Sequence, residues 1–190
     1  LEALCTKAVS TPGPVAAICI WPRFVTRARR TLGNSSVKIA TVVNFPSGDE
    51  PLLEVERQIE AALNAQADEI DLVMPWKAFL DGDPQAARNM IRTAWSSCGE
   101  TRTLKVILES GEYPELELVQ QASELAIDAG ADFIKTSTGK TAHSASLEAA
   151  RVMLNVISRR KPGRVGAVGL QPSGGSRTLA DAGGSVARAE

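Results

Sequence analysis

A buried strand that runs directly into a lysine and a polar turn is encoded in residues 130–141, Gly130-Ala-Asp-Phe-Ile-Lys-Thr-Ser-Thr-Gly-Lys-Thr141. Phe133 and Ile134 supply the apolar side chains, and Lys135 follows where such a strand should leave the core. Burial disfavours the charged form of an amine, and a cationic neighbour disfavours it further, which makes a lysine nucleophilic. Lys135 is therefore a candidate Schiff-base nucleophile, and the alternative is a solvated lysine at a strand end.

The turn after this lysine has the composition of an anion-binding loop. Its backbone N–H groups, the hydroxyls of Thr136 and Thr138, and the charge of Lys140 predict that it binds a phosphate. The last three residues of the turn match the end of a nucleotide-binding P-loop. That motif requires a glycine where Ile134 stands, so a P-loop is not expected.

Short apolar runs alternate with amphipathic stretches along the rest of the chain. The apolar runs predict strands at 15–20, 37–43, 69–74, 103–108, 132–135 and 165–170. The stretches between them predict helices at 22–30, 52–65, 83–98, 114–129 and 146–159. This alternation is typical of a parallel sheet covered by helices, and it leaves open a doubly wound sheet or a (β/α)8 barrel.

Polar residues lie at or just after the ends of these runs, where both architectures carry their sites. They are Asn44, Asp71, Glu109, Lys135, Thr136 and Gln171. For Asp71 the pattern leaves two roles open, a proton-transfer carboxylate or a structural partner of a barrel lysine such as Lys105. No Gly-x-Gly-x-x-Gly follows the first run, which disfavours dinucleotide binding.

The bulk composition is that of a globular domain acting on a small molecule. The chain has 190 residues, 44% of them hydrophobic, with 21 basic and 22 acidic residues and a net charge of −1. Because the charges are mixed along the chain, neither a nucleic-acid surface nor a membrane surface is expected. The three cysteines and the single histidine lack the spacing of a metal site. With no signal peptide or membrane span in the pattern, we expect a cytoplasmic protein.

Six stretches together resemble the deoxyribose-phosphate aldolase family, in the order in which that family carries them. They are residues 17–23, 40–46, 67–73, 104–109, 131–140 and 168–178. The resemblance covers about residue 3 to residue 182, and the lysine segment is its most specific part. It implies a (β/α)8 barrel of the TIM-barrel type and a class I aldolase, a lyase of deoxyribonucleotide catabolism that needs no metal or other cofactor.

The same resemblance implies a reaction and a set of site residues. The family reversibly cleaves 2-deoxy-D-ribose 5-phosphate to glyceraldehyde 3-phosphate and acetaldehyde, so the expected partners are a small sugar phosphate and an aldehyde. Lys135 matches the Schiff-base lysine, and Asp71 matches an acidic residue that transfers protons. The phosphate site is expected to comprise Thr138, Gly139, Lys140, Gly174 and Gly175.

Two departures from the family qualify this expectation. The segment Gly169-Leu-Gln-Pro172 has Gln171 where the family carries a second active-site lysine, which predicts a weakened activity. The six βα units correspond to the family's strands two through seven, so we expect an incomplete barrel that lacks the first and last strands. We predict one domain over residues 1–182 and assign no folded element to the small polar tail at 183–190.

These departures also support an alternative hypothesis. An inactive or weakened relative could bind a sugar phosphate without turnover, or could self-assemble through the open sheet edges, with a homodimer as the simplest product. A Schiff-base aldolase with an altered substrate is a third interpretation.

Overall fold

The computed structural model describes residues 1–10, 13–143, 146–160 and 166–173, and it contains one curled parallel sheet. Its six strands pair in the order of the chain. They are β1 (Ala17–Ile20), β2 (Lys38–Val43), β3 (Glu69–Val73), β4 (Thr103–Ile107), β5 (Phe133–Lys135) and β6 (Gly169–Gln171).

Helices connect successive strands. They are α1 (Glu2–Ala8), α2 (Val25–Leu32), α3 (Leu52–Asn64), α4 (Trp76–Leu80), α5 (Pro84–Cys98), α6 (Leu116–Asp128) and α7 (Leu147–Ser158). Short 3-10 turns at Pro22–Phe24 and Ser110–Glu112 precede α2 and α6. The starts of α5 and α7 agree with the sequence, because the side chains of Asp83 and Ser146 accept hydrogen bonds from the amides three residues on.

The strand order decides between the two architectures that the sequence left open. A doubly wound sheet reverses its strand order at a switch point, whereas a barrel adds each strand beside the previous one. The order here runs from β1 to β6 without reversal, and every pair is parallel. The prediction of an incomplete barrel-type α/β fold is confirmed, with β1 and β6 as the two edges of the sheet in the described part of the chain.

The two faces of the sheet differ in chemistry because side chains alternate along a strand. One set packs against the helices as the hydrophobic core and includes Ile39, Ile70, Leu72, Leu104 and Ile134. The other set faces the concave side, where the register aligns Asp71 with Lys105, Lys105 with Phe133, and Lys135 with Gln171. Charged residues inside strands are therefore collected on the concave face, opposite the hydrophobic core.

Some predicted boundaries are corrected by the structure. The sixth strand, predicted at 165–170, spans Gly169–Gln171 in the described residues, and position 165 lies outside them. Helix α6 begins at Leu116 because a 3-10 turn and Pro114 precede it. Helices α1 and α4 were not predicted. Among the described residues no helix is long and apolar enough to cross a membrane. The predicted domain end at 182 and the tail at 183–190 lie outside the described residues.

Candidate active site

Lys135 and Asp71 meet on the concave face, although they belong to strands that are not neighbours. The Lys135 ammonium donates a hydrogen bond to Oδ2 of Asp71, across β4. Both side chains are buried, with 7% of the Lys135 side chain and 0% of the Asp71 side chain exposed. A buried charge needs a partner, and each of these groups supplies one for the other.

Lys105 lies between them on β4 and contacts three polar groups. Its Nζ lies 2.5 Å from Oε2 of Glu69 and 3.8 Å from Oδ1 of Asp71. It also donates a hydrogen bond of 3.2 Å to Oε1 of Gln171. The Asp71 carboxylate therefore contacts Lys135 through one oxygen and Lys105 through the other, a geometry compatible with both roles considered for it.

Sequence reasoning named Lys105 only as a structural partner and missed Glu69. The available signal was the alternation of side chains: Glu69 and Asp71 are two residues apart on β3, so they share a face. Strand register, which a single sequence does not reveal, places Lys105 directly beside Asp71.

Gln171 is the last residue of β6 and is aligned with Lys135. Its side-chain carbonyl oxygen accepts the hydrogen bond from Lys105, so the uncharged amide takes part in the polar network. The structure therefore brings Gln171 close to Lys135 and Asp71 through Lys105.

Cys19 on β1 lies at the other side of the carboxylate. Its Sγ lies 3.7 Å from Oδ2 of Asp71. Burial of the thiol and the negative charge of Asp71 raise the pKa of Cys19 to about 11. The thiol is therefore neutral at physiological pH.

The turn after β5 uses many of its polar groups internally. The amide of Thr138 donates to both carboxylate oxygens of Glu109, at 3.1 and 3.3 Å. The amide of Lys140 donates to Oγ1 of Thr138 at 3.1 Å. Thr136 is buried, and its hydroxyl donates to the carbonyl of Ser173 and accepts from its amide, so it has no proton left for a ligand.

Three groups of this turn can still reach a ligand. Gly139 and Lys140 are exposed, and the hydroxyl of Thr138 still has its own proton to donate. The other two residues predicted for the phosphate site, Gly174 and Gly175, lie outside the described residues.

Asn44, which follows β2, holds a loop. Its Nδ2 donates to the carbonyl of Val73 at 2.8 Å, and its Oδ1 accepts from the amide of Glu50 at 2.9 Å. Its buried position and these bonds give it a structural role beside the site.

The arrangement is suited to carbonyl chemistry at an amine. A lysine at the floor of a concave face can attack an aldehyde, and a carboxylate in hydrogen-bonding contact can accept and return the protons of imine formation. These are the features of an α/β-barrel enzyme of the Schiff-base type.

Comparison with known proteins gives the family. The sequence model of the DeoC/LacD family aldolases matches residues 1–188. A deoxyribose-phosphate aldolase of Agrobacterium fabrum (strain C58) is 49% identical over 185 residues, which cover 96% of this chain and 69% of that protein. The chain therefore belongs to the DeoC/LacD family of aldolases, and the resemblance inferred from the sequence is confirmed.

Solved structures agree with this assignment. A Coccidioides immitis protein described as a deoxyribose-phosphate aldolase superposes with a TM-score of 0.89 at 28% identity, over 99% of this chain and 71% of that one. A tetrameric deoxyribose phosphate aldolase from Aeropyrum pernix superposes with a TM-score of 0.76 at 25% identity, over 97% and 74% of the two chains.

Proposed function

We propose that this aldolase reversibly cleaves 2-deoxy-D-ribose 5-phosphate to glyceraldehyde 3-phosphate and acetaldehyde through a Schiff base on Lys135. The family and the 49% identical relative support the substrate. The observation that carries the proposed mechanism is the buried contact between the Lys135 amine and the Asp71 carboxylate.

In the cleavage direction, the neutral amine of Lys135 attacks the C1 aldehyde of the open-chain sugar, and loss of water gives an iminium ion. The C2–C3 bond then breaks, its electron pair moves into an enamine, and the C3 hydroxyl loses its proton as glyceraldehyde 3-phosphate forms. Protonation of the enamine at C2 and hydrolysis release acetaldehyde and regenerate the amine. Asp71 is the proposed proton acceptor and donor in these steps, directly or through a water.

Lys105 and Gln171 are proposed to set the polar surroundings of this pair. Lys105 keeps a positive charge 3.8 Å from Oδ1 of Asp71, the carboxylate oxygen that Lys135 does not contact. Gln171 carries no charge and is held by Lys105 through its carbonyl oxygen. The site therefore retains a second cation on β4, beside the carboxylate, although position 171 has none.

The substrate phosphate is proposed to bind at the turn after β5. Exposed Lys140 supplies the charge, Gly139 a backbone amide, and Thr138 a hydroxyl proton. The participation of Gly174 and Gly175 stays a prediction, since both lie outside the described residues.

The chemistry is tested by trapping the imine. The purified protein is incubated with acetaldehyde and cyanoborohydride near neutral pH, and adducts are mapped by peptide mass spectrometry. We expect Lys135 to be labelled in preference to the six other lysines. Lys135→Met should lose this adduct and the cleavage of deoxyribose 5-phosphate, whereas Lys38→Met, at an exposed lysine of β2, should retain both.

Labelling of Lys135 no faster than that of the surface lysines would contradict the proposed function. It would instead favour a relative that binds a sugar phosphate without turnover.

A cytoplasmic location and a homodimer are also proposed. The described part of the chain contains no disulfide, as is usual in a reducing compartment. The edge strands β1 and β6 each have one unpaired side among the described residues, and an unpaired edge is a template for pairing with a second chain. Size-exclusion chromatography with light scattering tests the dimer, and a monomeric mass would exclude it.

A further inference from the structure

Glu109 is a buried carboxylate that the proposed reaction does not use. It follows β4, its exposure is 0%, and its backbone adopts the left-handed conformation with φ 59° and ψ 48°. A residue with a Cβ seldom adopts that conformation, and such residues cluster at functional sites.

The backbone on either side of Glu109 is bonded to the exit of β5. The amide of Leu108 donates to the carbonyl of Lys135 at 2.9 Å, and the amide of Ser110 donates to the carbonyl of Thr136 at 2.7 Å. These two main-chain bonds fix the position from which the Glu109 side chain extends.

The hydrogen bonds found for the carboxylate in the described part of the chain come from the turn beyond these bonds. The carboxylate accepts from the amide of Thr138 at 3.1 and 3.3 Å, and from Oγ1 of Thr141 at 3.4 Å. Between these two residues lie Gly139 and Lys140, the accessible part of the turn. Glu109 therefore holds both ends of the segment that presents Lys140.

The charge of the Glu109 carboxylate makes its hydrogen bonds to the turn stronger than bonds to a neutral acceptor. None of the ion pairs found in the described ranges includes Glu109. A buried carboxylate in that situation depends on its hydrogen-bond donors, and bonds to an ionised acceptor are stronger than those to a neutral one. The carboxylate and the turn thus fix each other.

Lys135 does not depend on the same contact. Its backbone is aligned with Ile107 and Gln171 in the sheet, and its side chain is held by Asp71. Loss of the Glu109 carboxylate would free the turn and leave the amine in place.

We propose that Glu109 is a positioning residue that holds the Thr138–Thr141 turn so that Lys140 meets the phosphate of the substrate. It acts on phosphate binding and not on imine formation at Lys135. This inference rests on the proposed function of the site.

Two substitutions and a matched control test the proposal. Glu109→Leu removes every acceptor, Glu109→Gln retains one neutral acceptor, and Glu117→Gln, the control, changes an exposed acid in the first turn of α6. Each variant is assayed with 2-deoxyribose 5-phosphate and with 2-deoxyribose, which lacks the phosphate. Hydrogen exchange of the peptide covering residues 136–143 and acetaldehyde trapping at Lys135 are measured in parallel.

We expect KM for the phosphorylated sugar to rise roughly tenfold in Glu109→Leu and less in Glu109→Gln, since a bond to a charged acceptor is worth about that factor or more. The kcat for the phosphorylated sugar, kcat/KM for 2-deoxyribose and the trapping rate should change less than about twofold. Amide exchange in the turn should accelerate in the same order, and Glu117→Gln should resemble the parent protein.

Three results would overturn the inference: an unchanged KM, an equal loss with both sugars, or unchanged amide exchange in the turn. If Glu109→Leu fails to fold, Glu109→Gln decides by the same measurements. If the parent protein neither traps acetaldehyde nor cleaves either sugar, the proposed function fails. In that case amide exchange still decides whether Glu109 holds the turn, and unchanged exchange rejects the inference.

Discussion

Lys135 and Asp71 contact each other across an intervening strand. The Lys135 ammonium donates to Oδ2 of Asp71, while Lys105, on the strand between them, approaches Oδ1 at 3.8 Å. One buried carboxylate therefore serves two lysines, a geometry that exists only because three strands curl around a common concave face. The chemistry proposed for Lys135 depends on how this carboxylate is shared.

Asp71→Asn should lower kcat for 2-deoxyribose 5-phosphate by about 10²–10⁴, the range typical of losing a positioned acid–base group. The amide keeps the shape of the side chain but cannot carry a proton between steps. Steady-state kinetics measure the effect. Asp49→Asn, at an exposed carboxylate paired with Lys77, is the control and should leave kcat unchanged. A kcat within threefold of the parent would exclude Asp71 as the proton-transfer group.

Gln171→Lys should raise the rate of acetaldehyde trapping at Lys135 roughly tenfold near pH 7. Position 171 is aligned with Lys135 in the sheet, and an added cation favours the neutral, nucleophilic form of a neighbouring amine. Gln171→Met, which has a similar length and no charge, is the matched control. An equal rate in the lysine and methionine variants would show that position 171 does not influence the amine.

Lys105 and Glu69 form an ion pair, and their contributions to the free energy of unfolding should be strongly coupled. Their charged atoms lie 2.5 Å apart, and only 8% and 14% of the two side chains are exposed. Lys105→Met should lower the free energy of unfolding by about 3 kcal/mol, because it leaves a buried carboxylate without this cation.

Urea denaturation of the single variants and of the double variant Glu69→Gln/Lys105→Met measures the coupling. The loss in free energy of unfolding of the double variant should be smaller than the sum of the two single losses by about 1 kcal/mol or more. Strictly additive losses in the free energy of unfolding would show that Lys105 and Glu69 do not stabilise each other.

Much of the fold could be predicted because each strand is a short apolar run flanked by an amphipathic stretch. The first five strands lie within two residues of their predicted bounds. Helices α1 and α4 were missed, since seven and five residues are too few for a helical period to stand out. The last strand was misplaced because its three residues pair according to register with β5, which is a tertiary relationship.

The candidate site was predicted less completely, because part of it also depends on tertiary relationships. Lys135 follows from its position at the end of an apolar strand, and Asp71 from the family resemblance, since it lies in the middle of β3. The position of Lys105 beside Asp71 depends on the alignment of β3 with β4, and the attachment of the Thr138 amide to Glu109 depends on how two loops pack. Neither relationship leaves a local pattern in the chain.

The rate at which iodoacetamide alkylates Cys19 should rise with pH, with its midpoint at about pH 11. Burial and Asp71 raise the pKa of this thiol to about 11 from 9.0, so the reactive thiolate is scarce at lower pH. Because folding favours the neutral thiol, Cys19 contributes stability below pH 9 that is lost as the pH rises through 11.

The rate constant at each pH is measured by peptide mass spectrometry, with Cys19→Ser to assign the adduct. Asp71→Asn should shift the profile to lower pH, since it removes a negative charge beside Sγ. An alkylation profile centred near pH 9 in the parent protein would contradict the raised pKa.

Gly169 allows the ring of Phe133 to lie directly against β6. A Cβ at this position would lie 2.1 Å from Cε1 of Phe133, far inside contact distance. The ring also lies under the Lys105 ammonium, with Nζ 5.7 Å from its centroid. Gly169→Ala should therefore displace the ring and lower the free energy of unfolding by about 1–3 kcal/mol, as overpacking does.

Urea denaturation compares this variant with Gly13→Ala, where an added Cβ meets no atom within 4 Å and the change should stay within about 0.5 kcal/mol. Adding Phe133→Leu to Gly169→Ala should recover part of the loss, because the smaller side chain makes room for the methyl group. If Gly169→Ala is as stable as Gly13→Ala, the ring of Phe133 moves without cost, and its close approach to the backbone of β6 is not rigid.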